Sequence, residues 1–152
     1  MKQILLPLLL AIFVIQGCAP PDATDGPSQE ENRAGNPIVE DWYADPEGLI
    51  FEDRYWVYPT YSAPYDEQLF FDAFSSPDLV NWTKHPRILD MARVAWADSA
   101  MWAPSAIEKD GRYYYFFAAN DIQHDDAVGG IGVAVSDSPA GPFEGVRARP
   151  LD

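Results

Sequence analysis

The 152-residue sequence predicts an all-β fold, and two observations support this. From residue 37 onward, short runs rich in Tyr, Trp, Phe and Val alternate with Pro, Gly, Asp and Asn, without the spacing of an amphipathic helix. The same pattern then recurs along the chain, which is typical of a fold assembled from repeated units. The hydrophobic content of 47% and the aromatic content of 14% also exclude a chain that is disordered throughout.

An internal repeat defines the unit. Residues 46–58 align without gaps on residues 104–116 at an offset of 58, and both segments contain an Arg-Tyr pair that begins an aromatic strand. Residues 73–82 then align on residues 134–143 at an offset of 61. Each unit predicts four antiparallel strands, which is the composition of a β-propeller blade. A β-sandwich with coincidental similarity between its strands is the alternative.

The charge of the chain limits its partners. Ten Lys and Arg residues stand against 24 Asp and Glu residues, for a formal net charge of −14. Nucleic-acid binding is therefore excluded, because phosphate backbones are held by clustered basic residues. The His and two Asp of residues 123–126 are adjacent loop residues, which favours a solvated loop over a metal site. No sequence feature indicates a protein partner.

The N-terminus predicts export and a lipid anchor. Residues 1–17 have a positively charged start and an apolar run, over residues 4–15, that is too short to span a bilayer comfortably. Residues 15–18 (Ile-Gln-Gly-Cys) resemble the lipobox of bacterial lipoproteins, and Cys18 is the only cysteine. We expect lipidation of Cys18, a flexible tether over residues 18–36, and attachment to the periplasmic or cell-surface side of a bacterial membrane by the lipid alone. An ordinary secretory signal with a chance cysteine is the alternative.

One acidic residue breaks the repeat. Asp45 precedes Pro46, whereas Ala103 occupies the equivalent position before Pro104. A carboxylate that the scaffold required should occur in both units. This one occurs once, at the start of an inner strand, where side chains can face the central channel of a propeller. Asp45 is therefore a candidate for chemistry, although Asp before Pro is also a common turn initiator.

Four motifs in order cover nearly all of the chain beyond the tether. They lie in residues 36–46 (from Asn-Pro-Ile to Trp-Tyr-Ala-Asp-Pro), 74–82 (Phe-Ser-Ser-Pro-Asp-Leu-Val-Asn-Trp), 102–105 (Trp-Ala-Pro-Ser) and 132–143 (from Gly-Val-Ala-Val-Ser to Gly-Pro-Phe). Together they resemble glycoside hydrolase family 43. The resemblance implies a five-bladed β-propeller, of which residues 37–152 would form about the first two four-stranded blades. Family members hydrolyse arabinose- and xylose-containing plant polysaccharides and oligosaccharides with inversion and require no cofactor. Some members bind a structural Ca²⁺, which the residues of this chain do not indicate.

The resemblance also implies roles for individual residues. Asp45 matches the general base, which deprotonates the attacking water. Trp102 matches the aromatic residue of the family's Trp-Ala-Pro motif, whose indole face packs on a sugar ring, with a contact between blades as the alternative. Trp42 and Tyr43, beside the base, are weaker candidates for the same rim. The family's second Asp and its Glu general acid belong to later motifs that these 152 residues lack. We therefore expect the 152 residues alone to hydrolyse glycosides poorly.

Two other functions stay open at this point. The first is a non-catalytic, glycan-binding lipoprotein in which Trp102 and its neighbours hold a sugar without cleaving it. The second is another five-bladed sugar hydrolase, such as the β-fructosidase group. Members of that group carry an Asn-Asp-Pro-Asn type of motif, which residues 44–47 (Ala-Asp-Pro-Glu) do not match.

Overall fold

The computed structural model describes residues 34–120 and 129–151. The predicted signal peptide, Cys18, all but the last three residues of the predicted tether, and the segment at residues 123–126 lie outside the described residues. In the part of the chain that is described, no helix has the length and apolar character needed to cross a membrane.

The first sheet contains four antiparallel strands in chain order: β1 (Tyr43–Phe51), β2 (Arg54–Tyr61), β3 (Phe70–Ser76) and β4 (Thr83–Asp90). Strands β1 and β2 are joined by a tight turn at Glu52 and Asp53, which both have positive φ (51° and 56°), as a two-residue hairpin turn requires. Aromatic and β-branched residues dominate β2 and favour the extended conformation.

The second sheet repeats this arrangement, with its four strands again in chain order. A single turn of 3-10 helix at Met91–Arg93 follows β4, with Asp90 accepting a hydrogen bond from the backbone N–H of Ala92. The strands are β5 (Trp102–Lys109), β6 (Arg112–Ala119), β7 (Gly130–Ser136) and the short β8 (Glu144–Gly145). The prediction of two four-stranded antiparallel units is confirmed, and we call them the first blade and the second blade.

The first hairpin of each blade has the same register. Glu47 pairs with Tyr58 between β1 and β2, and Ser105 pairs with Phe116 between β5 and β6. The two pairs are related by the offset of 58 residues seen in the sequence. The repeat therefore reflects equivalent backbone pairing, and equivalent positions of the two blades can be compared residue by residue.

Aromatic rings fill the space between the blades. Tyr115 of β6 is fully buried, and its ring centroid lies 5.6 Å from that of Tyr58 and 5.2 Å from that of Phe71 in the first blade. The buried ring of Phe143 lies 5.1 Å from Tyr115 on the other side. Tilted and edge-to-face pairs of this kind contribute about 0.5–1.5 kcal/mol each beyond the burial of their surface. This cluster packs the two blades against each other.

The connection between β7 and β8 also joins the blades. The backbone N–H of Phe143 donates to the carbonyl of Ile88 at 2.7 Å, and the Tyr58 hydroxyl donates to the carbonyl of Pro139 at 2.9 Å. Gly141, with φ 71°, lies so close to β4 that a Cβ atom would be 2.6 Å from the Ile88 carbonyl oxygen. A glycine is therefore required at this contact.

Each blade exposes apolar side chains on the face opposite this core. On the first blade, Ile50 is 66% exposed and borders an open groove with Leu79 and Trp82. On the second blade, Ile107 and Ile131 are 53% and 47% exposed. Exposed apolar faces of this kind are the surfaces that further blades cover in a propeller.

Candidate active site

A β-bulge carries Asp45 near the start of β1. The pairing of β1 with β2 shifts between Ala44 and Glu47, and Asp45 within this bulge has a φ of 46°. Asp is one of the few residues besides Gly that tolerate this left-handed conformation. Bulges redirect the side chains of a strand, and this one leaves Asp45 exposed.

The second blade has the same bulge without the carboxylate. The pairing of β5 with β6 shifts between Trp102 and Ser105, and Ala103 has a φ of 45°. Ala103 is the repeat equivalent of Asp45. Because the bulge forms around an alanine in the second blade, the carboxylate of Asp45 is not needed to make it.

One hydroxyl group joins Asp45 to the second blade. Thr60 Oγ1 donates a hydrogen bond to Oδ2 of Asp45 at 3.2 Å and accepts one from the backbone N–H of Ala103 at 2.8 Å. The Thr60 residue is 3% exposed. Among the described residues, no other hydrogen bond reaches the Asp45 carboxylate, so its Oδ1 is free to accept one from water or a ligand. The repeat also distinguishes Thr60 as a position at which the two units differ, because Ala118 occupies its equivalent position.

Trp102 begins β5 beside this hydroxyl. The residue is 42% exposed, and its neighbour Ala103 makes the hydrogen bond to Thr60. The bulge that contains Asp45 and the bulge that follows Trp102 are therefore linked, through Thr60, across the two blades. The exposed indole offers an apolar plane to a ligand, and contact with a sugar stays a prediction.

Trp42 lies just before β1, three residues from Asp45. It is 80% exposed, and its carbonyl accepts a hydrogen bond from the backbone N–H of Ser62 at 3.1 Å. With Ser62, Ala63 and Pro64 it lines a shallow depression of about 420 Å³. The indole is free to contact a ligand at the rim, which stays a prediction for this residue too.

Tyr43 lies on the other face of the first blade. It pairs with Tyr61, whereas Ala44 pairs with Thr60, and successive side chains of a strand point to opposite faces. The Tyr43 hydroxyl donates to Oδ2 of Asp72 at 2.6 Å, and its ring contacts Phe74 edge-on at 5.2 Å. Burial, followed by the hydrogen bond to Asp72, raises the pKa of Tyr43 to about 12. These contacts stabilise the blade, and a sugar-binding role for Tyr43 stays a prediction.

The negative charge of the buried Asp72 carboxylate is balanced by hydrogen bonds and an ion pair. It is 2% exposed and accepts hydrogen bonds from the Tyr43 hydroxyl and from the backbone N–H of Arg87, the latter at 2.7 Å. Its Oδ2 also pairs with Nζ of Lys84 at 3.1 Å, and Lys84 reaches Asp41 at 3.3 Å. Hydrogen bonds to Tyr43 and then to Asp72 raise the pKa of Lys84. A buried charge with this many partners is a structural element of the blade.

Metal-ligating side chains are dispersed in residues 34–120 and 129–151. No group of three or more His, Cys, Asp or Glu residues in these ranges is close enough together to hold a metal ion. Asp45, with Thr60 as its partner, therefore offers the chemistry of a single carboxylate, which can accept a hydrogen bond or a proton.

Comparisons of the sequence with known proteins agree on one family. The sequence profile described as "Glycosyl hydrolases family 43" matches residues 34–147. The chain is 47% identical over 131 residues to beta-D-galactofuranosidase xynD of Aspergillus niger, which covers 78% of this chain and 37% of that protein. It is 33% identical over 122 residues to xylosidase/arabinosidase 43A of Humicola insolens, which covers 70% of this chain and 36% of that protein. The chain thus spans little more than a third of the length of these curated relatives.

Solved structures share the arrangement of the two blades. The GH43 beta-xylosidase/alpha-arabinofuranosidase from a compost microbial metagenome, solved in complex with xylotriose, matches with a TM-score of 0.66 and 31% identity over 79% of this chain and 39% of that chain. The GH43_1 enzyme from Xanthomonas citri, also complexed with xylotriose, matches with a TM-score of 0.65 and 27% identity over 75% of this chain and 34% of that chain. The prediction that the chain forms part of a β-propeller is confirmed.

Proposed function

Because this chain belongs to family 43 of the glycosyl hydrolases, we propose that the intact protein hydrolyses O-glycosidic bonds in arabinose- or xylose-containing plant glycans with inversion. The observation that carries this proposal is the exposed carboxylate of Asp45, on a bulge that a single hydroxyl links to the bulge beside Trp102. An acid-base group and an exposed aromatic plane are two of the elements that an enzyme uses to hydrolyse a sugar.

Asp45 is the general base in this proposal. An inverting hydrolase uses a carboxylate on one face of the sugar to deprotonate water and a carboxylic acid on the other face, about 6.5–9.5 Å away. The Asp45 Oδ2 accepts the Thr60 hydroxyl, and within the described residues its Oδ1 has no hydrogen-bond partner. Oδ1 is therefore the atom that takes the proton from the attacking water.

Trp102 and Trp42 supply the apolar contact to the glycan. Their exposed fractions of 42% and 80% leave indole surface that a sugar can cover. The C–H face of a pyranose or furanose ring suits the face of an indole. The relatives that support this substrate class are named xylosidase/arabinosidase and beta-D-galactofuranosidase, so a galactofuranoside belongs among the substrates tested.

The general acid is not evident among the glutamates of the described ranges. Four of these side chains already form hydrogen bonds or ion pairs with other residues of the chain. The other two, Glu40 and Glu67, lie in exposed segments outside the strands. We therefore expect that the described part of the chain does not supply the general acid, whose contribution to the rate is about 10²–10⁴-fold. The engaged side chains are Glu47 with Ala106, Glu52 with Tyr113, Glu108 with Gly111, and Glu144 with Arg93.

The proposal includes the location of the protein. Cys18 at the end of an apolar leader favours an exported protein that is anchored by its lipid to the bacterial membrane. Attachment at the periplasmic or cell-surface side would give the site access to glycans outside the cytoplasm. This part of the proposal is supported by the sequence of residues 1–18 alone.

The test of the base is hydrolysis by the intact gene product. Aryl β-xyloside, aryl α-L-arabinofuranoside and aryl β-galactofuranoside are offered as substrates, and the anomer first released is identified by NMR. Asp45→Asn should lower kcat by about 10²–10⁴-fold with little change in KM. Asp53→Asn is the matched control, because Asp53 lies in the turn at the far end of β1 and its variant should hydrolyse normally.

Three outcomes would contradict the proposal. Full turnover by Asp45→Asn would remove Asp45 from the role of base. Release of the retained anomer would exclude inversion. Binding of glycans by the intact protein without any turnover would favour the non-catalytic, glycan-binding lipoprotein instead.

A further inference from the structure

The hydroxyl group of Thr60 connects the two blades through two hydrogen bonds. It lies near the end of β2, pairs with Ala44 next to the bulge of Asp45, and is 3% exposed. Its hydroxyl accepts the backbone N–H of Ala103 at 2.8 Å and donates to the Asp45 carboxylate at 3.2 Å. A threonine hydroxyl has one proton. The N–H of Ala103 needs a lone pair of the oxygen, so the proton is directed toward Asp45.

Thr60 also breaks the repeat, at the same place as Asp45. In the second blade, Trp102 pairs with Ala118 as Ala44 pairs with Thr60 in the first. The carboxylate and the hydroxyl of the first blade are thus both replaced by alanine at the equivalent positions, Ala103 and Ala118. A hydroxyl that the blade needed for folding should occur in both blades. Its pairing with the carboxylate therefore points to the site.

We propose that Thr60 is a positioning residue that fixes the orientation of the Asp45 carboxylate. With Oδ2 held by the hydroxyl, Oδ1 is left to accept a proton from water. The distance of 3.2 Å is longer than the usual O–H···O separation of about 2.7–2.8 Å, so the effect on rate should be moderate. This inference rests on the assignment of Asp45 as the general base.

The test compares two variants of Thr60 in the intact gene product. Thr60→Val keeps the shape of the side chain and removes the hydroxyl, whereas Thr60→Ser keeps the hydroxyl and removes the methyl group. Thr60→Val should lower kcat by about tenfold without raising KM, because the lost hydrogen bond acts on the base in the transition state. Thr60→Ser should restore most of the rate. Thr60→Val also removes the acceptor of the Ala103 N–H and should lower the unfolding midpoint, so the rates are compared at a temperature at which circular dichroism shows all variants fully folded.

Thr83→Val is the matched control. Thr83 is an exposed threonine of β4 that pairs with Ser75, so its variant should hydrolyse at the wild-type rate. If Asp45→Asn is inactive and Thr60→Val is as active as wild type, the inference is overturned while the proposed function stands. A rise in KM alone, or a Thr60→Ser variant as slow as Thr60→Val, would overturn it as well. Full activity of Asp45→Asn would contradict the proposed function itself.

Discussion

Asp45 and Ala103 adopt the same left-handed backbone conformation, with φ values of 46° and 45°, in equivalent bulges of the two blades. The left-handed conformation costs about 1–2 kcal/mol for a residue with a Cβ atom, and the structure bears this cost in both bulges. The strained backbone is therefore a feature of the bulge in both blades. The carboxylate of Asp45 is an addition to a bulge that forms without it.

Ala103→Gly should stabilise the protein, because glycine adopts positive φ without the steric cost. The relief of about 1–2 kcal/mol is partly offset by the greater entropy of glycine in the unfolded chain, about 0.5–1 kcal/mol. A net gain of about 0.5–1 kcal/mol in the free energy of unfolding, measured in urea, is expected.

Ala106→Gly provides the control for this prediction. Ala106 is 6% exposed, lies in the same strand, and pairs regularly with Tyr115. Its variant should lose about 0.5–1 kcal/mol or more, since it has no strain to relieve. If Ala103→Gly destabilises the protein as much as Ala106→Gly does, the argument from backbone strain is wrong.

The sequence repeat was sufficient to predict two four-stranded blades, whereas the register of their strands comes from the structure. The spacing from the hairpin turn to the aromatic strand is the same in both units, and the pairs Glu47–Tyr58 and Ser105–Phe116 of the structure follow the same offset of 58 residues. The same alignment identified Asp45 as a break in the repeat. Thr60 was equally available from the alignment, but a lone threonine in a strand is too ordinary a residue to attract a functional interpretation.

The orientation of Tyr43 could not be predicted in this way. Tyr43 was a candidate for the rim of the site only because it lies beside Asp45 in the sequence. The bulge between Ala44 and Glu47 interrupts the regular alternation of side chains along β1. Asp45 reaches Thr60 near the second blade, whereas Tyr43 reaches Asp72 on the opposite face. Bulges depend on the pairing of two strands, which the local sequence of one strand does not specify.

Glu47→Ala should loosen the contact between β1 and β5. The Glu47 carboxylate accepts the backbone N–H of Ala106 at 2.6 Å and the hydroxyl of Ser105 at 3.3 Å. Its removal leaves a partly buried N–H without this partner, which should cost about 1.5–3 kcal/mol in the free energy of unfolding. Glu67→Ala, at an exposed loop position, is the control and should change stability little. Equal effects of the two substitutions would exclude Glu47 as a link between the blades.

Cys18→Ser should abolish lipid attachment. Cells grown with radioactive palmitate should label the wild-type protein, which should also sediment with membranes. The serine variant has no thiol to receive the lipid, since Cys18 is the only cysteine, and should remain unlabelled. Equal labelling of the two proteins would exclude the anchor at this residue.

Tyr43→Phe should destabilise the protein at neutral pH and progressively less above about pH 10. The variant removes the hydroxyl that donates to the buried Asp72, a hydrogen bond to a charged group worth about 1.5–3 kcal/mol. Burial and this hydrogen bond raise the pKa of Tyr43 from 10.0 to about 12. The folded state therefore holds the proton more tightly than the unfolded state. The stability that depends on it is complete below pH 10 and is lost as the pH rises toward about 12.

Urea unfolding of wild type and Tyr43→Phe between about pH 8 and pH 11 tests this sign. The buried Tyr58 and Tyr115 are present in both proteins, so much of their contribution cancels in the difference. Lys84 does not cancel, because the hydrogen bond to Tyr43 is the largest cause of its raised pKa, but its contribution is also lost as the pH rises and so has the same sign. Tyr65→Phe, which removes the hydroxyl of a residue that is 55% exposed, should parallel wild type over this range. A difference between wild type and Tyr43→Phe that stays constant up to pH 11 would show that the Tyr43 proton does not contribute to folding.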